Sequence, residues 1–254
     1  MECPSPSPLD YFAALVRDDD SLSLTEAAGA IALAAHPTLD LAALQTELDT
    51  LAQRLRQRLP SDAGALQRVR GLHQFFYRDL GFGGNVNDLR DPDNSHLHAV
   101  LQRRRGLPIA LAVLYLELAG QLGLQADGVS FPGHFLIKLH LPLGEAVIDP
   151  VDGRSLTRTE LEERLEPFLR HEMRFGLASG MGLGELLVDY LQPASGREIL
   201  ARMLRNLAVL HREDGDLPRL LQIQQRQVVL EPMDVALRRA LDRTRMALDQ
   251  PEGE

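Results

Sequence analysis

The stretch RRGLPIALAVLYLELAGQLGL, residues 104–124, decides how this chain is read. Gly106 interrupts whatever precedes it, and Pro108 suits the first turn of a helix, where its missing N–H would be unpaired anyway. From Ile109 to Leu118 nearly every residue is apolar: Ile109, Leu111, Ala112, Val113, Leu114, Leu116 and Leu118. A helix with no polar face has nothing to offer water, so it belongs at the centre of a domain. After Gly123 the period shortens. Asp127–Phe131, Phe135–Leu139 and Ala146–Ile148 are expected as three strands, with turns at Pro132-Gly133 and Pro142-Leu143-Gly144.

Upstream the pattern is helical. Residues 1–8 hold three prolines and two serines and read as an extended lead-in to a short helix over Leu9–Val16. Ser23-Leu24-Thr25-Glu26 has the form of a capping box. Asp40 is an expected N-cap for a helix to about Leu59, with Leu41, Leu44, Leu48, Leu51 and Leu55 in one stripe. Another helix is expected from about Asp62 to Tyr77. A polar loop then runs from Gly81 to Ser95, and Ser95 is placed as the cap of a helix to about Arg104. Downstream, Thr157-Arg158-Thr159-Glu160 is a second capping box, opening a helix to about Leu165. Gly176–Gly184 reads as a linker, and the rest is helical, with a turn expected at Asp214–Leu217. The fold class is α+β, mostly helical. The expected division is a helical region over 1–60, a core over 61–176 and a helical module over 177–254.

Composition narrows the function. The net charge of -9 over 254 residues gives no basic footprint for nucleic acid, and Arg103-Arg104-Arg105 reads as a helix end. A single cysteine, Cys3, excludes an internal disulfide and a cysteine-based zinc site. No apolar run reaches membrane-spanning length and the first residues lack a signal-peptide pattern, so the expected setting is the cytoplasm, off the membrane. His96 and His98 would point roughly 200° apart on a helix, and no zinc spacing appears. Asp88, Asp91 and Asp93 lack the closing Glu of a calcium loop. No metal and no cofactor are expected.

The order of a buried helix after Gly-x-Pro, a strand, Gly133-His134-Phe135 opening the next strand, and Val147-Ile148-Asp149-Pro150 closing another resembles the transglutaminase-like branch of the papain-like fold. More narrowly, Asp91-Pro92-x-Asn94-Ser95, Arg104-Arg105-Gly106-Leu107-Pro108-Ile109, Phe131-Pro132-Gly133-His134-Phe135 and Ile148-Asp149-Pro150 resemble a bacterial group labelled as relatives of an invasion-regulator-associated protein. That group joins this core to C-terminal tetratricopeptide-like helices, and the likeness covers about residues 70–160 well. The resemblance implies a nucleophilic Cys at the start of the central helix, a His base and an Asp that orients it. His134 and Asp149 match the last two. The position of the Cys falls at Pro108, and Leu107, Ile109 and Ala110 supply neither thiol nor hydroxyl.

Two readings follow. The first is a non-catalytic binding or regulatory protein that contacts another protein through its C-terminal helices, with His134–Asp149 as a strand-stitching remnant. The second is a hydrolase or amidase in which His134, held by Asp149 through Nδ1–H, activates water or a non-cysteine nucleophile. Ser130 lies four residues before His134, and Ser95 is better explained as a cap. Asn94, Ser95 and Arg105, from the shared motifs, are the candidate binding residues.

Overall fold

A computed structural model describes residues 6–174 and 183–249, with 171–174 by backbone only. Cys3 and most of the expected Gly176–Gly184 linker lie outside the described residues. From the amino end come α1 (Pro8–Leu15), α2 (Leu24–Ile31), α3 (Leu41–Arg56) and α4 (Ala65–His73), the last widening into a π-helical turn at Gln74–Asp79. Next are β1 (Gly83–Gly84), α5 (Leu97–Arg103), β2 (Arg105–Gly106) and α6 (Pro108–Gln121). β3 (Ala126–Val129), β4 (Leu136–Leu141), β5 (Gly144–Ile148) and β6 (Ser155–Leu156) follow. The chain ends with α7 (Arg158–Arg174), α8 (Leu183–Tyr190), α9 (Gly196–Glu213), α10 (Leu217–Leu230) and α11 (Val235–Asp249).

These elements gather into two compact units. One holds 48–84 and 104–195. Its centre is α6, in which Ile109 to Tyr115 are buried without a break, as are Leu118 and Ala119. Leu107 is the extended residue before the helix and Pro108 opens it. The far end is finished by Gly123, at φ 69°. Its orphan carbonyls accept from two arginines, Arg56 on Gln121 O at 2.9 Å and Arg68 on Leu122 O at 3.1 Å. The helix packs on β3 and β4 of an antiparallel sheet ordered β3-β4-β5-β6. Successive β4 residues point to opposite faces. Leu136, with Val129, Phe131, Val147 and Leu156, meets Leu161, Leu165 and Leu169 of α7 and Leu187 of α8. The sheet is thus covered on both faces, and Leu136 to Leu139 are all buried, the cation Lys138 among them.

The other unit takes 1–47, 85–103 and 196–254. Its described elements are α1, α2, the start of α3, α5 and α9–α11. α2, with small residues at Ala27, Ala28 and Ala30, packs on α9 and α5, and Gly29 makes room for Leu41 and Leu44 of α3. α9 and α10 pack along each other after a turn with Gly215 at φ 71°. Leu204, Leu207, Ala208 and Leu220 are buried between them and their neighbours. Arg197 fastens three segments, donating to Asp19 at 2.7 Å, Leu230 O at 2.6 Å and Val16 O at 2.6 Å.

Several local expectations are corrected. Ser23 makes no side-chain cap to α2, and Glu26 instead accepts from the Tyr11 hydroxyl. Ser95 does not cap α5: it closes the short 3-10 turn Pro92–Asn94, whose cap is the Asp91 carboxylate, accepting from Asp93 N at 2.9 Å. α5 ends one residue early, because Arg104 takes φ 59° with its guanidinium over the Phe82 ring and its carbonyl accepting from Gly83 N. α7 runs nine residues past Leu165, through Pro167. Pro167 and Glu163, whose carbonyl loses its helical donor, are both exposed. The Thr157–Glu160 box forms as expected, with Thr157 N on Glu160 at 2.8 Å and Glu160 N on the Thr157 hydroxyl at 3.3 Å. Among the described residues no helix is long and apolar enough to cross a membrane.

Candidate functional site

The β4–β5 hairpin sets the site. Its register pairs Ile137 with Ile148, so the residues just before β4 and just after β5 overhang the same end. His134 therefore lies in the turn two residues ahead of β4, not at the start of a strand. Gly133, at φ 67°, makes that turn. Asp149 opens a second tight turn, its N–H on Arg154 O at 2.9 Å and its carbonyl accepting from Gly153 N at 2.8 Å.

His134 and Asp149 meet as the motif implied, but through the other nitrogen. Nε2 of His134 is 2.9 Å from Asp149 Oδ1. The same oxygen accepts from Val151 N at 3.1 Å, and Oδ2 accepts from Arg164 Nη1 at 3.1 Å. Burial works to raise the Asp149 pKa. The His134 bond and charge, the Val151 amide and Arg164 outweigh it and hold the group at about 2. With the carboxylate ionised, Nε2–H of His134 donates to it. His134 is one quarter exposed while Asp149 is buried. The geometry is that of an oriented base. A nucleophile is what the start of α6 does not provide: Arg105 to Leu111 contains no thiol and no hydroxyl.

Arg164 was not foreseen. It stands on α7 beside Leu161 and Leu165, and a helical wheel shows only a charged residue at the edge of an apolar stripe. Tyr77 is a second such residue. The π-helical turn carries it against His73, rings 4.8 Å apart, and beside Tyr115 of α6. Burial, then the nearby Tyr115 and Asp149, push its hydroxyl pKa well up. Gly153 makes room for these rings: a Cβ there would stand 2.4 Å from His73 Cε1 and 2.5 Å from Tyr77 Cε2.

The remaining candidates have local roles. Asn94 is buried, accepting from Asn85 at 2.9 Å and donating to Asp88 O at 2.6 Å. Ser95 is buried beside it. Arg105, exposed and in the unit of His134, donates to Gly81 O and to Arg104 O.

In the other unit the structure gathers side chains that sequence spacing kept apart. His96 precedes α5 and His98 lies in its first turn, so the helical angle between them does not apply. His36, from the turn after α2, sits against both, ring centroids 5.6 Å from His96 and 4.8 Å from His98. Asp93 Oδ1 lies 3.3 Å from His96 Nδ1 and 3.7 Å from His36 Nε2, and Arg103 holds Asp93 Oδ2 at 2.5 Å. Burial lowers the His96 pKa to about 4 against the pull of Asp93. Sixty residues separate His36 from His96, which is why no motif shows the group.

A family model described as the transglutaminase-like superfamily matches residues 42–205. The chain belongs to that superfamily. A UPF0162 protein of Xylella fastidiosa (strain 9a5c) is 38% identical over 191 residues, 75% of this chain and 65% of that protein. The match thus spans less than two thirds of this relative. A UPF0162 protein of Pseudomonas aeruginosa is 35% identical over 232 residues, 91% of this chain and 81% of that protein. F-box only protein 21 of mouse is 35% identical over 105 residues, 38% of this chain and 17% of that protein. No solved structure matches. The superfamily match takes in α6, the four-stranded sheet, His134 and Asp149, so its core is present around this pair.

Proposed function

We propose that this bacterial transglutaminase-like protein is a non-catalytic binding or regulatory protein, working in the cytoplasm. The observation that carries the reading is the start of α6. Leu107 caps the helix without a side-chain bond and Pro108 follows, so the position that would hold a thiolate offers neither sulfur nor a backbone N–H for an oxyanion. Supporting it, Asp149 is held on three sides by His134, Val151 and Arg164, an arrangement that ties β5 and α7 to the turn before β4. The likeness to F-box only protein 21, confined to 17% of that protein, fits a core used as a module inside larger chains. The invasion-regulator grouping and a tetratricopeptide-like C-terminal module belong to the same reading. Its partner is another protein rather than nucleic acid, and the surface we assign to it is around α11, where Met233, Val235 and Met246 stay exposed.

One observation favours the hydrolase or amidase reading. The His134 ring is fixed through Nε2, and Nδ1 has no hydrogen-bond partner among the described residues, as a general base requires. Thiol chemistry separates from both readings by a direct test. Iodoacetamide labels Cys3 alone, at the rate of an unperturbed exposed thiol. Amide hydrolysis and amine incorporation stay at background in wild type and in Cys3→Ser. Turnover that Cys3→Ser abolishes would bring the N-terminal arm into the site and overturn the reading.

A further inference from the structure

We infer that His36, Asp93 and His96 form a binding site for a divalent transition metal of the zinc type, held by His36 Nε2, Asp93 Oδ1 and His96 Nδ1. The three donor atoms lie within 4.8 Å of one another. Bonds of about 2.0–2.1 Å in a tetrahedral site place neighbouring donors roughly 3.3 Å apart. The distances from Asp93 Oδ1, 3.3 Å to His96 and 3.7 Å to His36, are already close to that. Two imidazoles and one carboxylate suit zinc and its neighbours better than calcium or magnesium, which prefer all-oxygen shells.

The surroundings are those of a built site. His96 is 3% exposed and its Nδ1 is turned onto the shared carboxylate oxygen. Arg103 takes the other oxygen of Asp93 at 2.5 Å, which leaves Oδ1 to face the rings and fixes the carboxylate from behind. Asp91, bonded to the second Arg103 nitrogen at 2.7 Å, fixes the guanidinium in turn. His98 packs beside His36, and its Nδ1 is buried with no hydrogen-bond partner among the described residues. His36, 43% exposed, is the side by which an ion enters. Three protein ligands leave a fourth position for water. The ion would clamp the turn that carries Asp93 and His96 to the turn after α2, within one compact unit.

The test uses the full chain, stripped with a chelator and titrated with Co²⁺ and Zn²⁺. Expected is a single saturable equivalent, with the visible absorption of four-coordinate Co²⁺. His36→Ala and Asp93→Asn, both at partly exposed positions, weaken binding by about a hundredfold or more. Arg103→Gln, which loosens only the support, weakens it by about 10–100-fold. Circular dichroism checks that each variant folds. His140→Ala serves as control, since His140 has its own carboxylates, Asp127 at 2.6 Å and Glu145 at 3.3 Å. No saturable binding, binding that survives His36→Ala and Asp93→Asn in folded protein, or binding lost with His140→Ala instead would overturn the assignment.

Discussion

Asp149 shows most clearly what one residue does in this protein. In water its carboxyl would titrate near the ordinary 3.8, and in the fold it is held at about 2. A depressed carboxylate pKa adds stability that is fully present above the unfolded value and is lost as pH falls through the folded one. Nearly two pH units correspond to roughly 2 kcal/mol, lost between about pH 5 and pH 2. Urea melts of wild type and Asp149→Asn are therefore expected to differ most at pH 6 and to converge toward pH 2.5. A gap that stays constant with pH would mean that Asp149 is not held as the anion. His134 and Asp149 were legible in the sequence because each sits in a short motif at a strand end. The ring nitrogen was not, since only the overhang of the hairpin decides which edge of the imidazole meets the carboxylate. Arg164 and Tyr77 were not legible either, because each takes its role from tertiary packing.

At the scale of elements, α6 was the most legible. Its apolar run leaves no solvent face, and burial follows from that alone. The three expected strands were legible to within a few residues, with turns where Gly and Pro placed them, while the two-residue strands β1, β2 and β6 were not. What escaped were departures from ideal geometry: the π-helical turn at Gln74–Asp79, the left-handed Arg104 and the passage of α7 through Pro167. Each is fixed by a neighbour distant in sequence or by solvent, not by local propensity. The π-helical turn meets the turn after Asp149 at Gly153, at φ 76°, where two rings fill the space of a side chain. Gly153→Ala combines backbone strain with this collision and is expected to cost about 2–4 kcal/mol. Thermal melts check it, with Gly64→Ala as control, since a Cβ on Gly64 meets nothing within 4 Å. Equal melting temperatures for the two variants would contradict the packing described.

For the whole molecule, periodicity in the sequence identifies helices but not which of them share a core. Cutting the chain into consecutive stretches cannot show that residues 85–103 gather with the first 47 residues and with 196–254, or that the stretch 48–84 gathers with 104–195. The same gap hid the His36–Asp93–His96 cluster, whose members come from two of those separated stretches. The superfamily core was legible through the order of its elements and its motifs. Its proposed use was legible only through Pro108, which stands where the resemblance implies a nucleophile. The proposed non-catalytic role is tested most directly by turnover of peptide amides and amine incorporation into glutamine, with the full chain and with His134→Ala. The expected result is no turnover above buffer in either protein, with both folded. Turnover by the wild type that His134→Ala abolishes would show a working base and contradict the claim that this core has no catalytic role.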